Sequence, residues 1–287
     1  MGKLFGTDGI RGIAGQTLTA ELAFHVGQAV AAVLTEEKGS RPLITIGKDT
    51  RISSDMLEAA LMAGICSVGG DVMPLGTIPT PAVAFLTVQQ QADAGIVISA
   101  SHNPYAYNGI KVFTAGGRDA DQVVTGKIEE QIALLKPEDV KSIDYDQAME
   151  MGLIREGYPF NEYIDSILQV VDTKKIKRAH LRIAIDPMYG VSQSSLRTIL
   201  LTCRCDVDVI HEQHDTLFGG KMPAPSADTL KLLSNYVVDN GCNLGVATDG
   251  DADRLGVIDE KGAFLHPNTL LVLLYYYLVK YRGWSGP

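Results

Sequence analysis

The sequence predicts an α/β protein: two consecutive α/β domains with mixed, mainly parallel sheets and helices on both faces, followed by the start of a third unit. Three observations predict it. Segments whose apolar residues recur at helical spacing alternate with short apolar runs of strand length; nearly every break is marked by Gly, Pro or Ser; and the alternation runs twice, on either side of a polar stretch at residues 114–156. Strands separated by helices pair in parallel and carry helices on both faces of the sheet.

The first rhythm runs helix 18–34, strand 43–46 closed by Gly47, helix 55–68, strand 71–74, helix 81–88 and strand 95–98. Thr80-Pro81 reads as an N-cap followed by a first-turn proline. The polar stretch carries helix-like pieces and no strong strand, which places a domain boundary at residue 156. The second rhythm runs helix 160–171, strand 181–185, helix 192–201, strand 207–210, helix 226–239 capped by Ser226, and strand 244–247. These limits give domains at 1–156 and 157–256. A strand at 257–258 and a helix at 268–281 then open a third unit, 257–287, which is too small to bury a core of its own and either packs on the second domain or is left partly unsupported.

With 287 residues, 46% of them hydrophobic, the chain can bury sizeable cores, so disordered and fibrous classes are excluded. A formal net charge of -9 leaves no electrostatic footprint for nucleic acid. Any anionic ligand has to be held by a few local cations. Cys66, Cys203, Cys205 and Cys242 show no C-x-x-C and no framework spacing, which predicts reduced thiols and a cytoplasmic protein. The N-terminus has no signal-like h-region, and Gly6 stands where a myristoylation motif needs Ser or Thr, so no membrane association is expected. The longest apolar run, residues 270–279, is half of what a bilayer-spanning helix needs (about 20) and reads as a core helix.

Four segments carry candidate chemistry, and all fall where a strand gives way to a loop, the place where open α/β sheets bind ligands. Ser99-Ala100-Ser101-His102-Asn103-Pro104 follows the strand at 95–98 and precedes Asn108-Gly109-Ile110-Lys111. Ser101 reads either as a nucleophile or as part of a loop that only caps backbone groups; no G-x-S-x-G elbow supports a hydrolase. In Asp249-Gly250-Asp251-Ala252-Asp253-Arg254 the small spacers let a tight turn direct three carboxylates at one hard cation, Mg²⁺ or Ca²⁺. An EF-hand fails because Arg254 stands where its loop requires Gly; a solvated acidic turn is the alternative. Gly6-Thr7-Asp8-Gly9-Ile10-Arg11-Gly12 offers backbone N–H groups and the Arg11 fork to a phosphate, or is a simple turn. Phe218-Gly219-Gly220-Lys221-Met222-Pro223-Ala224-Pro225 reads as a loop leading into a helix, with Lys221 in solvent.

In this order and at these separations, GTDGIRG, SASHNP, NGIK and DGDADR resemble the α-D-phosphohexomutase superfamily of phosphoglucosamine mutases and phosphoglucomutase/phosphomannomutases. The resemblance extends over the chain, through Gly47-Lys48-Asp49-Thr50-Arg51 and Ile78-Pro79-Thr80-Pro81. It implies that Ser101 carries a phosphoryl group. It also implies that Asp249, Asp251 and Asp253 hold one Mg²⁺ together with an oxygen of that phosphate, that Arg11 and Arg254 flank the phosphate, and that Lys111 and His102 handle protons or stabilise charge. The implied reaction interconverts hexose 1-phosphate and hexose 6-phosphate through a 1,6-bisphosphate. SASHNP is most similar to glucosamine-type enzymes, whereas Asp186-Pro187-Met188-Tyr189-Gly190 and FGGKMPAP look more like glucose/mannose-type ones. The resemblance further implies two C-terminal domains whose loops complete the substrate cleft. The rival expectations are a sugar phosphatase with a phosphoserine intermediate and an inactive scaffold fragment.

Overall fold

The computed structural model describes residues 4–135 and 142–285. Strands β2 (Leu43–Lys48), β3 (Asp71–Thr77) and β4 (Ala94–Ile98) pair in parallel, with β2 in the middle. In β2 and β4 the apolar runs are buried almost throughout, as strands covered on both faces must be. β5 (Tyr107–Thr114) and β1 (Ile10–Ile13) extend this half antiparallel, giving the order β1-β5-β4-β2-β3. Neither was expected as a strand. Asn108 and Gly109 read as turn residues, yet Asn108 is wholly buried and its side-chain amide donates to Ser53 and Ser54, so its polarity is satisfied inside the sheet layer.

Helix α1 (Ala20–Lys38) starts at a Thr19 cap, whose hydroxyl accepts from the Leu22 amide, and ends at Gly39 in the left-handed region. It packs with α2 (Ser54–Ser67) and α4 (Gln122–Leu134) over one face of the sheet, where Leu57, Leu61 and Ile65 are fully buried. Each such side chain contributes about 1.5–3 kcal/mol relative to exposure. The opposite face is covered by α3 (Thr80–Gln89), with Leu75, Val83, Leu86 and Phe113 in the seam. The polar stretch holds α4 and α5 (Tyr145–Glu150); residues 136–141 within it lie outside the described residues.

The second sheet repeats the plan. β6 (Arg182–Asp186) is central to the parallel strands, between β7 (Asp206–Val209) and β8 (Leu244–Thr248), and β9 (Leu255–Ile258) and β10 (Phe264–Leu265) add antiparallel, giving β10-β9-β8-β6-β7. In each sheet half of the pairings are parallel, and the antiparallel half comes from the strands with weak sequence signals. One face is covered by α6 (Phe160–Val170), α7 (Thr173–Ala179) and α8 (Ser192–Thr202), the other by α9 (Lys231–Asp239). Phe160 and Tyr163 on α6 also pack on the first domain, so this helix bridges the two units.

Three expectations are corrected. Residues 257–258 do not open a third unit: Val257 and Ile258 pair with Val246 and Gly245, so the strand completes the second sheet. Helix α9 begins at Lys231 rather than Ser226, because Ser226 and Thr229 bond to each other in a separate turn. The apolar helix α10 (Pro267–Arg282) is not a core helix; it buries no residue, and Leu271, Val272 and Tyr275 are each more than 60% exposed. Among the described residues nothing buries its apolar side chains, and an apolar surface of this kind marks a place where a partner packs. No helix among the described residues is long and apolar enough to cross a membrane. All four cysteines are free and buried.

Candidate active site

The loop after β4 is shaped by one arginine. Arg51 is buried, and its guanidinium donates to Asp49 Oδ2 (2.8 Å) and to the carbonyls of Ser101 (2.7 Å), Asn103 (2.9 Å), Pro104 (2.8 Å) and Tyr107 (3.0 Å). A planar fork with five donors suits a loop that turns its carbonyls inward. Asp49 also accepts from Ser54 and from Ser99 Oγ, and Ser99 Oγ in turn accepts the Ser101 amide at 2.8 Å. These bonds hold Ser101 at φ 52°, a left-handed conformation that a serine adopts only under constraint.

The acidic loop joins β8 to β9. Asp249 Oδ1 accepts the amides of Asp253 and Arg254 (both 3.1 Å), which closes the turn, and Ala252 takes a left-handed φ of 61°. Gly250 lets the turn approach the serine loop: a Cβ there would stand 3.0 Å from the Ser101 carbonyl oxygen. The two loops meet at the serine hydroxyl, where Ser101 Oγ donates to Asp249 Oδ2 at 2.6 Å. His102 Nδ1 lies 3.2 Å from the same hydroxyl.

Three carboxylates share this corner, with ligand oxygens of Asp249, Asp251 and Asp253 all within 4.8 Å of one another. Burial, reinforced by the charge of Asp251, pushes the Asp249 carboxyl up to about 7, and the same two causes raise Asp253. Asp251 Oδ2 accepts from Thr80 Oγ1 at 2.7 Å, while its Oδ1 is buried with no partner among the described residues. An orphaned buried carboxylate oxygen beside two further acids is a donor set that fits a hard divalent cation.

The cations stand around this corner. Burial, then the charges of Arg254 and Arg11, lower the His102 pKa. Arg254 is half exposed, 3.9 Å from Asp249 and from Asp253, and Arg11 reaches Asp8 at 3.7 Å while its buried Nε has no partner among the described residues. Lys111 pairs with Asp119 (3.1 Å) over the Phe113 ring and makes no bond to Ser101 among the described residues. Sequence reasoning missed Arg51, Phe218 and Thr80. Phe218, expected in a plain loop, is buried with its ring 4.9 Å from the Arg51 guanidinium carbon, so it reaches across from the second domain. Thr80 does not cap α3; its hydroxyl goes to Asp251.

Comparison with known proteins decides the family. Residues 2–138 match phosphoglucomutase/phosphomannomutase α/β/α domain I, and residues 161–262 match domain II of the same family. The chain belongs to the α-D-phosphohexomutase superfamily. It is 41% identical over 279 residues to a phosphoglucosamine mutase of Ruminiclostridium cellulolyticum, covering 97% of this chain and 60% of that protein. It is 42% identical over 287 residues to the phosphoglucosamine mutase of Moorella thermoacetica, covering 100% and 62%. A crystal structure from Thermus thermophilus, provisionally described as a phosphomannomutase, superposes with a TM-score of 0.85 at 27% identity over 97% of this chain and 61% of that one. The chain spans about 60% of the length of these curated relatives.

Proposed function

We propose that this chain supplies the phosphoserine and metal half of a phosphohexomutase site, and that the enzyme interconverts hexose 1-phosphate and hexose 6-phosphate. The observation that carries this reading is the 2.6 Å bond from Ser101 Oγ to Asp249 Oδ2, made across the two domains inside a three-carboxylate corner. In the reaction the bond between phosphorus and Ser101 Oγ breaks as one forms to the free hydroxyl of the hexose phosphate, whose proton leaves to a nearby base. The resulting 1,6-bisphosphate returns its other phosphoryl group to Ser101, and the serine ends as it began.

Asp249, Asp251 and Asp253 would hold Mg²⁺, which when bound neutralises charge on the phosphoryl oxygens. Arg11 and Arg254 flank the corner and can bind phosphate oxygens with their forks. His102, kept neutral by burial and by the two arginines, can exchange a proton at Ser101 Oγ. Lys111 adds positive charge on exchanging Asp119 for the anion. The naming of the matched relatives favours a glucosamine phosphate over glucose or mannose phosphate as substrate. Four free buried thiols favour a cytoplasmic setting.

Incubation with a hexose 1,6-bisphosphate and MgCl₂ tests the serine directly. The intact mass should rise by one phosphoryl group that maps to Ser101 and is absent from Ser101→Ala. Uptake that is equal after the substitution, or that maps to another residue, overturns the assignment.

A further inference from the structure

Thr80 opens α3, where a threonine hydroxyl ordinarily accepts an amide of the first turn. It does not do so here. The helix has no side-chain cap, and the hydroxyl is committed to a carboxylate of the other domain, 171 positions away in sequence. The Thr80 amide points the same way, donating to the Asp251 carbonyl at 2.9 Å. Both residues are only 5% exposed, so water does not compete for these bonds.

The consequence falls on one oxygen. A carboxylate free to turn presents two equivalent oxygens and can chelate or rotate away. With Oδ2 held by Thr80 Oγ1 at 2.7 Å, Oδ1 alone is left without a partner among the described residues, in the corner where Asp249 and Asp253 converge. Mg²⁺ demands near-octahedral directions at about 2.0–2.1 Å and tolerates misplaced ligands poorly. We infer that Thr80 is a positioning residue for the cation: from the first domain, its hydroxyl fixes the rotation of the Asp251 carboxylate so that a single oxygen faces the metal. The proposal rests on the metal reading of the acidic loop. It also makes the metal site a product of both domains, since one of its acids is oriented by the domain that carries Ser101.

Outer contacts of this kind are worth roughly 10–100-fold in metal affinity. The test is calorimetric titration of the 287-residue chain with MgCl₂, backed by Mn²⁺ binding followed by electron paramagnetic resonance. Thr80→Val removes the hydroxyl at nearly constant shape and leaves the backbone bond to Asp251 in place. It should weaken binding by about tenfold or more, while Thr80→Ser, which keeps the donor, should stay within about threefold of wild type. Thr80→Ala gives the same loss and is read instead if circular dichroism shows the valine variant unfolded. Wild-type affinity in folded Thr80→Val or Thr80→Ala, alongside a lost site in Asp251→Asn, overturns the role of Thr80 and leaves the metal reading standing. Undiminished affinity in Asp251→Asn overturns the metal reading itself.

Discussion

Raising the pH of the metal-free chain from about 5 to about 8 loads negative charge onto a loop that has little access to water. Asp249 is fully buried, and burial followed by the charge of Asp251 lifts its carboxyl to about 7. In the unfolded chain the same group titrates near 3.9. The folded state therefore holds this proton more tightly than the unfolded state does. Its stabilisation is complete below about pH 4 and is lost as the pH rises through about 7. At about 1.4 kcal/mol for each tenfold change in proton affinity, the ceiling is roughly 4 kcal/mol, a large share of the roughly 5–15 kcal/mol that holds a protein folded. Mg²⁺ reverses the sign because it binds the ionised form; at a hundred times its dissociation constant it returns about 2.7 kcal/mol. His102 works in the opposite direction, because its lowered pKa favours the fold at higher pH. Comparison with Asp249→Asn removes that contribution. The assay is urea unfolding by circular dichroism at the two pH values, in EDTA and in MgCl₂, for both proteins. Wild type in EDTA should lose stability with rising pH relative to the asparagine variant, and Mg²⁺ should stabilise it more at the higher pH. Parallel pH profiles for the two proteins, or equal Mg²⁺ stabilisation at both pH values, would refute the charge argument.

Further outcomes follow from single contacts. Arg51→Lys replaces a fork that serves Asp49 and four carbonyls by a point charge with three donors, so at least two buried acceptors lose partners. The cost should be about 3 kcal/mol or more in urea unfolding, and a loss below about 1 kcal/mol contradicts the clamp. Gly9→Ala adds a Cβ at a φ of +83°, 2.4 Å from the Ile110 carbonyl oxygen, which should cost about 2 kcal/mol or more through strain where β1 meets β5; thermal unfolding within a degree or so of wild type speaks against it. Asp71→Asn weakens a buried acid that binds Arg41 Nε at 2.6 Å and Arg155 Nη2 at 2.5 Å, and should destabilise by about 2–4 kcal/mol. Unchanged urea midpoints would show that the two guanidinium groups contribute nothing net.

What could be read from the sequence was what is local. The buried parallel strands announce themselves as apolar runs, and the acidic loop as alternating aspartates with small spacers, because strand burial and turn geometry depend on near neighbours. β5 was hidden because Asn108-Gly109 is a turn signal; only the hydroxyls of Ser53 and Ser54, brought in by α2, make a buried asparagine tolerable there. Arg51 stands out from sequence only through the family resemblance, since its four carbonyl acceptors are some 50 positions away along the chain. Thr80 reads as a cap from sequence because its acceptor belongs to the other domain. The Ser101 and Asp249 loops were each legible, but their meeting across 148 positions is a property of the assembled pair.

The two sheets explain why these loops meet. Strand order β5-β4-β2-β3 in the first domain corresponds to β9-β8-β6-β7 in the second, so the hairpin carrying Ser101 and the hairpin carrying Asp249 occupy equivalent places. The correspondence extends to a buried aspartate at the carboxyl end of each central strand: Asp49 accepts the amide of Arg51, and Asp186 the amide of Met188, each two residues on. Each of these also has a basic partner at short range, the Arg51 guanidinium at 2.8 Å for Asp49 and the His211 ring at 3.0 Å for Asp186. An aspartate so matched shapes its loop and has little left to offer a ligand. Asp249 and Asp251 lie as deep, but the nearest cation to Asp249 is Arg254 at 3.9 Å, and one oxygen of Asp251 has no partner among the described residues. Buried carboxylates left this incompletely neutralised are costly to the fold unless a cation is bound. That contrast between acids of equal burial, rather than burial alone, supports the proposed metal at the acidic turn.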